Sequence, residues 1–263
     1  MLLKRHKDSH KGSNGCVLVV AGSKLYTGAP IFAALGAMRT GADLTFLTAP
    51  ERAANIAAHC PDLITIPLEG DFLKPVHVKK IEDWFERADV MVIGPGLKQD
   101  KNTKKAVLEI IKQFNKPIVI DADALKIVSE KFSVLKDKKV VLTPHRSEFE
   151  KISGHKATAN AVKSFAAAQN CIVLLKAPAD IISDGKKVKL NKTGNPGMTV
   201  GGTGDILSGV VAGLVAQGIS LFDAAYYAAK VVGIAGDLAY MEKGYGLIAS
   251  DVLEKVAVVL KRV

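Results

Sequence analysis

Short apolar runs rich in Val, Ile and Leu recur along the chain, and between them apolar residues repeat at helical spacing. Alternation of these two periods is the mark of strand–helix units that build a parallel sheet. The runs predict strands over 16–20, 43–47, 63–66, 90–93, 118–120, 140–142 and 171–175. Helices are predicted over 29–40, 76–87, 103–114, 147–152 and 158–169. After Leu175 the pattern changes: apolar stretches at 180–183 and 187–191 flank Asp184-Gly185, a hairpin signal, so antiparallel strands join the sheet there. Three helices, over 205–217, 221–241 and 250–261, close the chain. With no repeat, low-complexity tract or long linker, residues 1–263 read as one α/β domain.

Composition narrows the function classes. Hydrophobic residues make up 48% and charged residues 24%, which suits a sizeable core, while aromatics are only 6%, so packing rests on aliphatic side chains. The formal charge of +10 favours anionic partners. Its lysines are scattered in short clusters without interleaved aromatics, which reads as solvated helix faces and turns rather than a nucleic-acid track, and a nucleotide substrate satisfies the charge equally well. Cys16, Cys60 and Cys171 form an odd set with no CxxC spacing and read as free thiols in a reducing cytosol. Neither a signal peptide nor a membrane-length apolar run is present, so a cytoplasmic location is expected, with no membrane partner.

Ligands of open parallel sheets bind beyond the carboxyl ends of the strands, and the residues with chemistry gather there. Ala21-Gly22-Ser23, Gly94-Pro95-Gly96-Leu97, Asp121-Ala122-Asp123, Thr143-Pro144-His145-Arg146-Ser147-Glu148 and Lys176 each follow a predicted strand. No GxGxxG or GxxxxGK[ST] loop is present, which argues against a dinucleotide fingerprint and a P-loop. His/Cys metal clusters and a G-x-S-x-G elbow are also missing, so zinc and serine hydrolysis are not expected. Asp121 and Asp123 read either as a metal-orienting pair or as caps of a short helix. Lys176 suits phosphate neutralisation or a buried ion pair. Asn191 and Asn195 read as turn residues or ligand contacts, and Ser147 with Glu148 as helix-start chemistry.

The densest signal runs from Asn195 through Pro196-Gly197 to Gly201-Gly202-Thr203-Gly204-Asp205 and into an apolar helix. Glycines let the backbone approach a ligand closely, and the first N–H groups of the helix attract phosphate. Asp205 would cap that helix, yet a carboxylate beside an anion hole is awkward unless a metal or a proton transfer uses it. Phosphoryl chemistry is the reading that follows.

Taken in order, His10-Lys11-Gly12-Ser13-Asn14-Gly15, Val19-Val20-Ala21-Gly22-Ser23, Tyr26-Thr27-Gly28-Ala29-Pro30, Gly94-Pro95-Gly96-Leu97, Asp121-Ala122-Asp123-Ala124-Leu125, Leu142-Thr143-Pro144-His145 and the Asn195-to-Asp205 segment resemble the ADP- or ATP-dependent NAD(P)H-hydrate dehydratases of the ribokinase-like superfamily. The resemblance covers nearly the whole chain. It implies a three-layer α/β/α sandwich with a mostly parallel sheet, and a lyase that phosphorylates the hydroxyl of hydrated NADH or NADPH and eliminates phosphate. By the same resemblance Asp205 is the base, and Ala29, Gly96, His145 and Asp205 contact the hydrate. Lys176, Ala177, Pro178, Ala179, Asp180 and Gly204 contact the adenine nucleotide, and Gly202, Thr203 and Gly204 hold the developing negative charge. Magnesium is expected with the phosphates, its ligands unassigned, and a homotetramer is expected. The usual Lys-Gly nucleotide loop here reads Lys176-Ala177-Pro178-Ala179-Asp180, a departure that bears on the donor. The epimerase domain fused ahead of many relatives is missing, which implies epimerisation by a separate protein. A vitamin or sugar-alcohol kinase of the same superfamily would share Asp205 and the anion hole, and a nucleotide-sensing protein would not need Asp205.

Overall fold

The computed structural model describes residues 5–262. In chain order its elements are β1 (Cys16–Val20), α1 (Gly28–Met38), β2 (Leu44–Pro50), α2 (Glu51–Ala57), β3 (Ile64–Leu68), α3 (Val78–Glu82), β4 (Val90–Ile93), α4 (Lys101–Gln113), β5 (Ile118–Ile120), α5 (Ala122–Ser129), β6 (Val140–Leu142), α6 (Arg146–Ser153), α7 (Ala159–Gln169), β7 (Ile172–Leu175), β8 (Asp180–Ser183), β9 (Val188–Asn191), α8 (Thr203–Ala216), α9 (Leu221–Lys243) and α10 (Ala249–Leu260). The strands form one nine-stranded sheet in the order β3-β2-β1-β4-β5-β6-β7-β8-β9, parallel through β7 and antiparallel in the last two pairs. Asp184 accepts the N–H groups of Lys186 and Lys187 in the turn between β8 and β9, as the Asp-Gly signal predicts.

Strands buried on both faces need apolar residues at every position, and β1 shows it. Val17 and Val19 join the core beneath α1, α2, α8, α9 and α10, whereas Leu18 and Val20 join the core beneath α3 to α7. Helices on both sides of the sheet make the three layers.

The first of those cores depends on small residues. A Cβ at Gly209 of α8 would lie 2.0 Å from the carbonyl oxygen of Ala33 in α1, and one at Gly36 would lie 2.6 Å from the carbonyl of Ile206. Hence α1 and α8 meet backbone against backbone, and the start of α8 is fixed relative to the strand ends.

The helices depart from the sequence reading at several places. α2 is not announced by the pattern: it follows β2 directly, and its Ala53, Ala54 and Ala57 are buried. The helix expected over 76–87 is a 3₁₀ turn at Pro75–His77 and the short α3. It stops at Asp83 because the next two side chains turn inward, Trp84 onto Phe46 with ring centroids 4.8 Å apart and Phe85 onto Phe114 at 5.1 Å. α8 begins at Thr203, two residues before the expected Asp205, because Gly202 takes the N-cap.

Candidate active site

Strand order reverses between β1 and β4, which opens a crevice at the carboxyl end of the sheet. The Gly22 N–H donates to the Pro95 carbonyl at 2.7 Å and ties the two strand-end loops together. Gly96 sits there at φ +67°, and a Cβ on it would come within 2.6 Å of Tyr26 Cβ and 3.3 Å of Ala29 Cβ. Glycine is therefore required, and Gly96 and Ala29 form one wall of small residues. Asp123 accepts the N–H of Lys98 at 2.9 Å and the amide of Gln99 at 2.8 Å, so it secures the Gly96 loop and is spent in doing so.

Gly202 caps α8 at φ +106°, and a side chain there would meet Phe32 at 2.8 Å. Asp205 is thus not the cap that the sequence suggested. It lies in the first helical turn, and the cap position needs a backbone conformation that favours glycine. The Thr203 hydroxyl donates back to the carbonyls of Met198 and Val200, which closes the Gly-rich loop. Among the described residues no acceptor meets the N–H groups of Thr203, Gly204 and Asp205, so the end of α8 is open to an anion.

Lys176 completes the charge arrangement. Its Nζ lies 2.9 Å from Oδ1 of Asp121, a carboxylate 2% exposed, and 3.3 Å from where a Cβ of Gly204 would be. Burial alone would lower the Lys176 pKa, but Asp121, then Glu148 and Asp205, hold the ammonium charged and carry it above the ordinary lysine value. Asp205 is pushed up to about 7 by burial and by the charge of Asp121, against the pull of Lys176. A carboxylate with that affinity for a proton, set beside an open helix end and an ammonium, can exchange a proton with a bound hydroxyl near neutral pH.

Of the two readings left open for Lys176, the structure shows the ion pair and also places the ammonium at the helix end. Asp121 is the N-cap residue of α5 but makes no side-chain cap there; its carboxylate pairs with Lys176, while that of Asp123 holds Lys98 and Gln99. His145 is the N-cap of α6: its Nδ1 accepts the Glu148 N–H at 3.3 Å, and Glu148 accepts the His145 N–H at 2.9 Å. The ring remains 53% exposed, and the backbones of His145 and Lys176 are bridged. α6 starts one residue before the expected Ser147.

The loop from Lys176 to β8 is closed by its own carboxylate. Asp180 accepts the Ala177 N–H at 3.0 Å and the Asn191 amide at 2.9 Å, which leaves Pro178, Ala177 and Ala179 to form the tip of the loop. Burial raises the Asp180 pKa, partly offset by the Asn191 and Ala177 hydrogen bonds and by Lys176. Asn191 is therefore structural, and so is Asn195, which caps the turn at Pro196–Met198 and donates to Asp237. The structure thus brings Asp205, Gly204, Gly202, Thr203, Lys176 and His145 to one end of the sheet, with Ala29 and Gly96 at the β1–β4 crevice. Asp121 and Glu148 enter through Lys176, which no local pattern announces. Ser23, at the end of β1, is fully buried and its hydroxyl has no partner among the described residues.

Residues 17–257 match the family model of the NAD(P)H-hydrate dehydratases. The chain is 44% identical, over 94% of its length, to the bifunctional NAD(P)H-hydrate repair enzyme Nnr of Hyperthermus butylicus, of which it spans 49%. It is 37% identical to the ADP-dependent (S)-NAD(P)H-hydrate dehydratase of Cenarchaeum symbiosum, covering 98% of this chain and 92% of that protein. The chain thus spans about half the length of the bifunctional relatives and nearly all of the second protein. Among solved structures it resembles the ADP/ATP-dependent NAD(P)H-hydrate dehydratase of Bacillus subtilis, co-crystallised with ATP and Mg2+, at a TM-score of 0.86 and 28% identity, covering 99% of this chain and 94% of that one. The fold, the strand-end site and these matches agree, and the chain belongs to the NAD(P)H-hydrate dehydratase family.

Proposed function

We propose that this chain is a lyase that uses ADP or ATP to dehydrate (S)-NADH or (S)-NADPH hydrate and so repairs the cofactor. The observation that carries the reading is Asp205, pushed up to about 7, at the open start of α8 with the Lys176 ammonium beside it. Asp205 takes the proton of the hydrate hydroxyl as its oxygen bonds to the terminal phosphorus and the bond to the nucleotide's bridging oxygen breaks. The free amides of Gly204 and Thr203, together with Lys176, stabilise the charge on the transferring group. Loss of phosphate and a proton then restores the ring double bond. Ala29, Gly96 and His145 border the hydrate. Lys176, Ala177, Pro178, Ala179, Asp180 and Gly204 border the nucleotide, with Asp180 shaping the loop from within rather than reaching the donor.

Magnesium would accompany the phosphates of the donor. Among the described residues no three His, Cys, Asp or Glu side chains gather as a metal cage, which suits an ion held mainly by phosphate oxygens and water. When bound, magnesium neutralises phosphate charge. A homotetramer and work in the cytoplasm complete the reading. Among the described residues the three cysteines are free, and no helix is long and apolar enough to cross a membrane. The test is to supply NADH hydrate, magnesium and ADP or ATP and follow the absorbance of NADH. Regeneration is expected; no regeneration with either donor, alongside phosphorylation of another alcohol, would overturn it.

A further inference from the structure

A groove lies beyond the carboxyl ends of β2 and β3, outside the site described above. Glu51, Arg52, Asn55, Ile56, His59 and Asp71 line it. None of these side chains has a part in the phosphoryl-transfer arrangement. Arg52 is exposed and, among the described residues, has no salt-bridge partner.

The groove is joined to the site by direct contacts. A Cβ at Gly22 would lie 3.1 Å from Ala53 Cβ in α2, 2.9 Å from Pro30 in α1 and 3.4 Å from the Tyr26 carbonyl. Tyr26 in turn abuts Gly96, as does Ala29. Asp71, on the groove wall, accepts the Lys24 ammonium at 2.9 Å, and its carbonyl accepts the Lys24 N–H at 2.9 Å. The loop that carries Tyr26 is therefore anchored to the groove. Leu25 and Tyr26 nevertheless stand 64% and 52% exposed, apolar surface turned to water at the border between site and groove.

We propose that this groove receives the adenylate half of the dinucleotide substrate, with Arg52 ion-paired to one of its phosphates and Tyr26 covering the passage from the reacting ring. The assignment rests on the function proposed above and adds the part of the substrate that the reacting centre does not touch. Strand spacing gives the scale: from β4 to β2 and β3 is two to three strands, about 10–15 Å, the reach of a dinucleotide rather than of a nicotinamide mononucleotide. A guanidinium recognises phosphate through paired N–H groups, the carboxylates of Glu51 and Asp71 can accept ribose hydroxyls, and Ile56 offers an apolar surface to a base.

The test compares wild type with Arg52→Ala on three substrates: NADH hydrate, NADPH hydrate and the hydrate of reduced nicotinamide mononucleotide. Arg52 is on the exposed face of α2 and Ala favours helix, so the fold is kept; circular dichroism and melting confirm it. KM for the dinucleotides should rise about five- to twentyfold with kcat little changed, as expected when binding shared by ground and transition states is removed. KM for the mononucleotide should not move. A rise for both dinucleotides assigns Arg52 to the pyrophosphate, and a rise for NADPH hydrate alone assigns it to the 2′-phosphate. Unchanged KM for both, or an equal rise with the mononucleotide, overturns the inference. If wild type regenerates neither cofactor, it is the proposed function that has failed.

Discussion

Replacing Asp205 by Asn should abolish turnover and make the protein more stable. Burial and Asp121 push the Asp205 carboxyl from its ordinary 3.8 up to about 7. At about 1.4 kcal/mol per pH unit, keeping it ionised in the folded state costs at most roughly 4 kcal/mol. The sign follows from proton counting. Between about pH 4 and pH 7 the folded protein keeps a proton that the unfolded chain has lost, so this group's contribution to stability falls as pH rises across that window and levels off above it. The carboxamide in the variant cannot ionise and escapes that loss, although it must find hydrogen-bond partners of its own. A gain of about 2 kcal/mol at pH 8 is therefore expected, about 4 °C in melting temperature for a chain of this size, shrinking toward zero near about pH 4.5. Urea unfolding of wild type and variant at the two pH values measures it, with nucleotide binding as a check that the site is intact. A variant that is no more stable at pH 8, or a difference that does not change with pH, would refute the reasoning.

Lys176→Met leaves Asp121 buried without its cation and should destabilise the fold by about 3 kcal/mol in urea melts. Any residual kcat/KM should show its acidic limb at higher pH, since Lys176 holds the Asp205 pKa down. Gly209→Ala, whose new methyl would sit 2.0 Å from the Ala33 carbonyl, should lower stability by about 3 kcal/mol or more. Gly201→Ala, with nothing within 4 Å, should change stability by less than about 1 kcal/mol in the same measurement. Asp180→Ala should loosen the 176–180 loop and raise KM for the nucleotide about fivefold while leaving KM for the hydrate unchanged, because Asp180 holds Ala177 and Asn191 rather than the hydrate wall. Equal rises in both constants would place that loop elsewhere.

Strands β1, β4, β5 and β6 are legible to the residue because short β-branched runs bounded by polar or Gly/Pro residues have one reading. α2 is not, since Glu51–Ala57 is short, Ala-rich and directly continuous with β2, with no loop to separate two periods. The start of α8 lies inside a run of glycines, where composition offers several caps and only the +106° φ of Gly202 selects one. Strand ends reveal Lys176 and His145, but the partner of Lys176 is hidden: Asp121 lies 55 positions earlier and meets it only because β5, β6 and β7 are neighbours in the sheet. The raised proton affinity of Asp205 is equally illegible, because it arises from burial and from that same distant carboxylate.

The seam between α1 and α8 has a mechanical consequence. Because Gly209 and Gly36 bring the two backbones into contact, the Asp205 carboxylate and the helix end ride on a chassis built from the core rather than from surface loops. The 176–180 loop is fastened separately, by Asp180 and Asn191. A change in that loop can therefore be absorbed without moving the start of α8. If the loop borders the nucleotide as proposed, substitutions at Ala177, Pro178 and Ala179 would alter donor preference while Asp205 and the helix end keep their places.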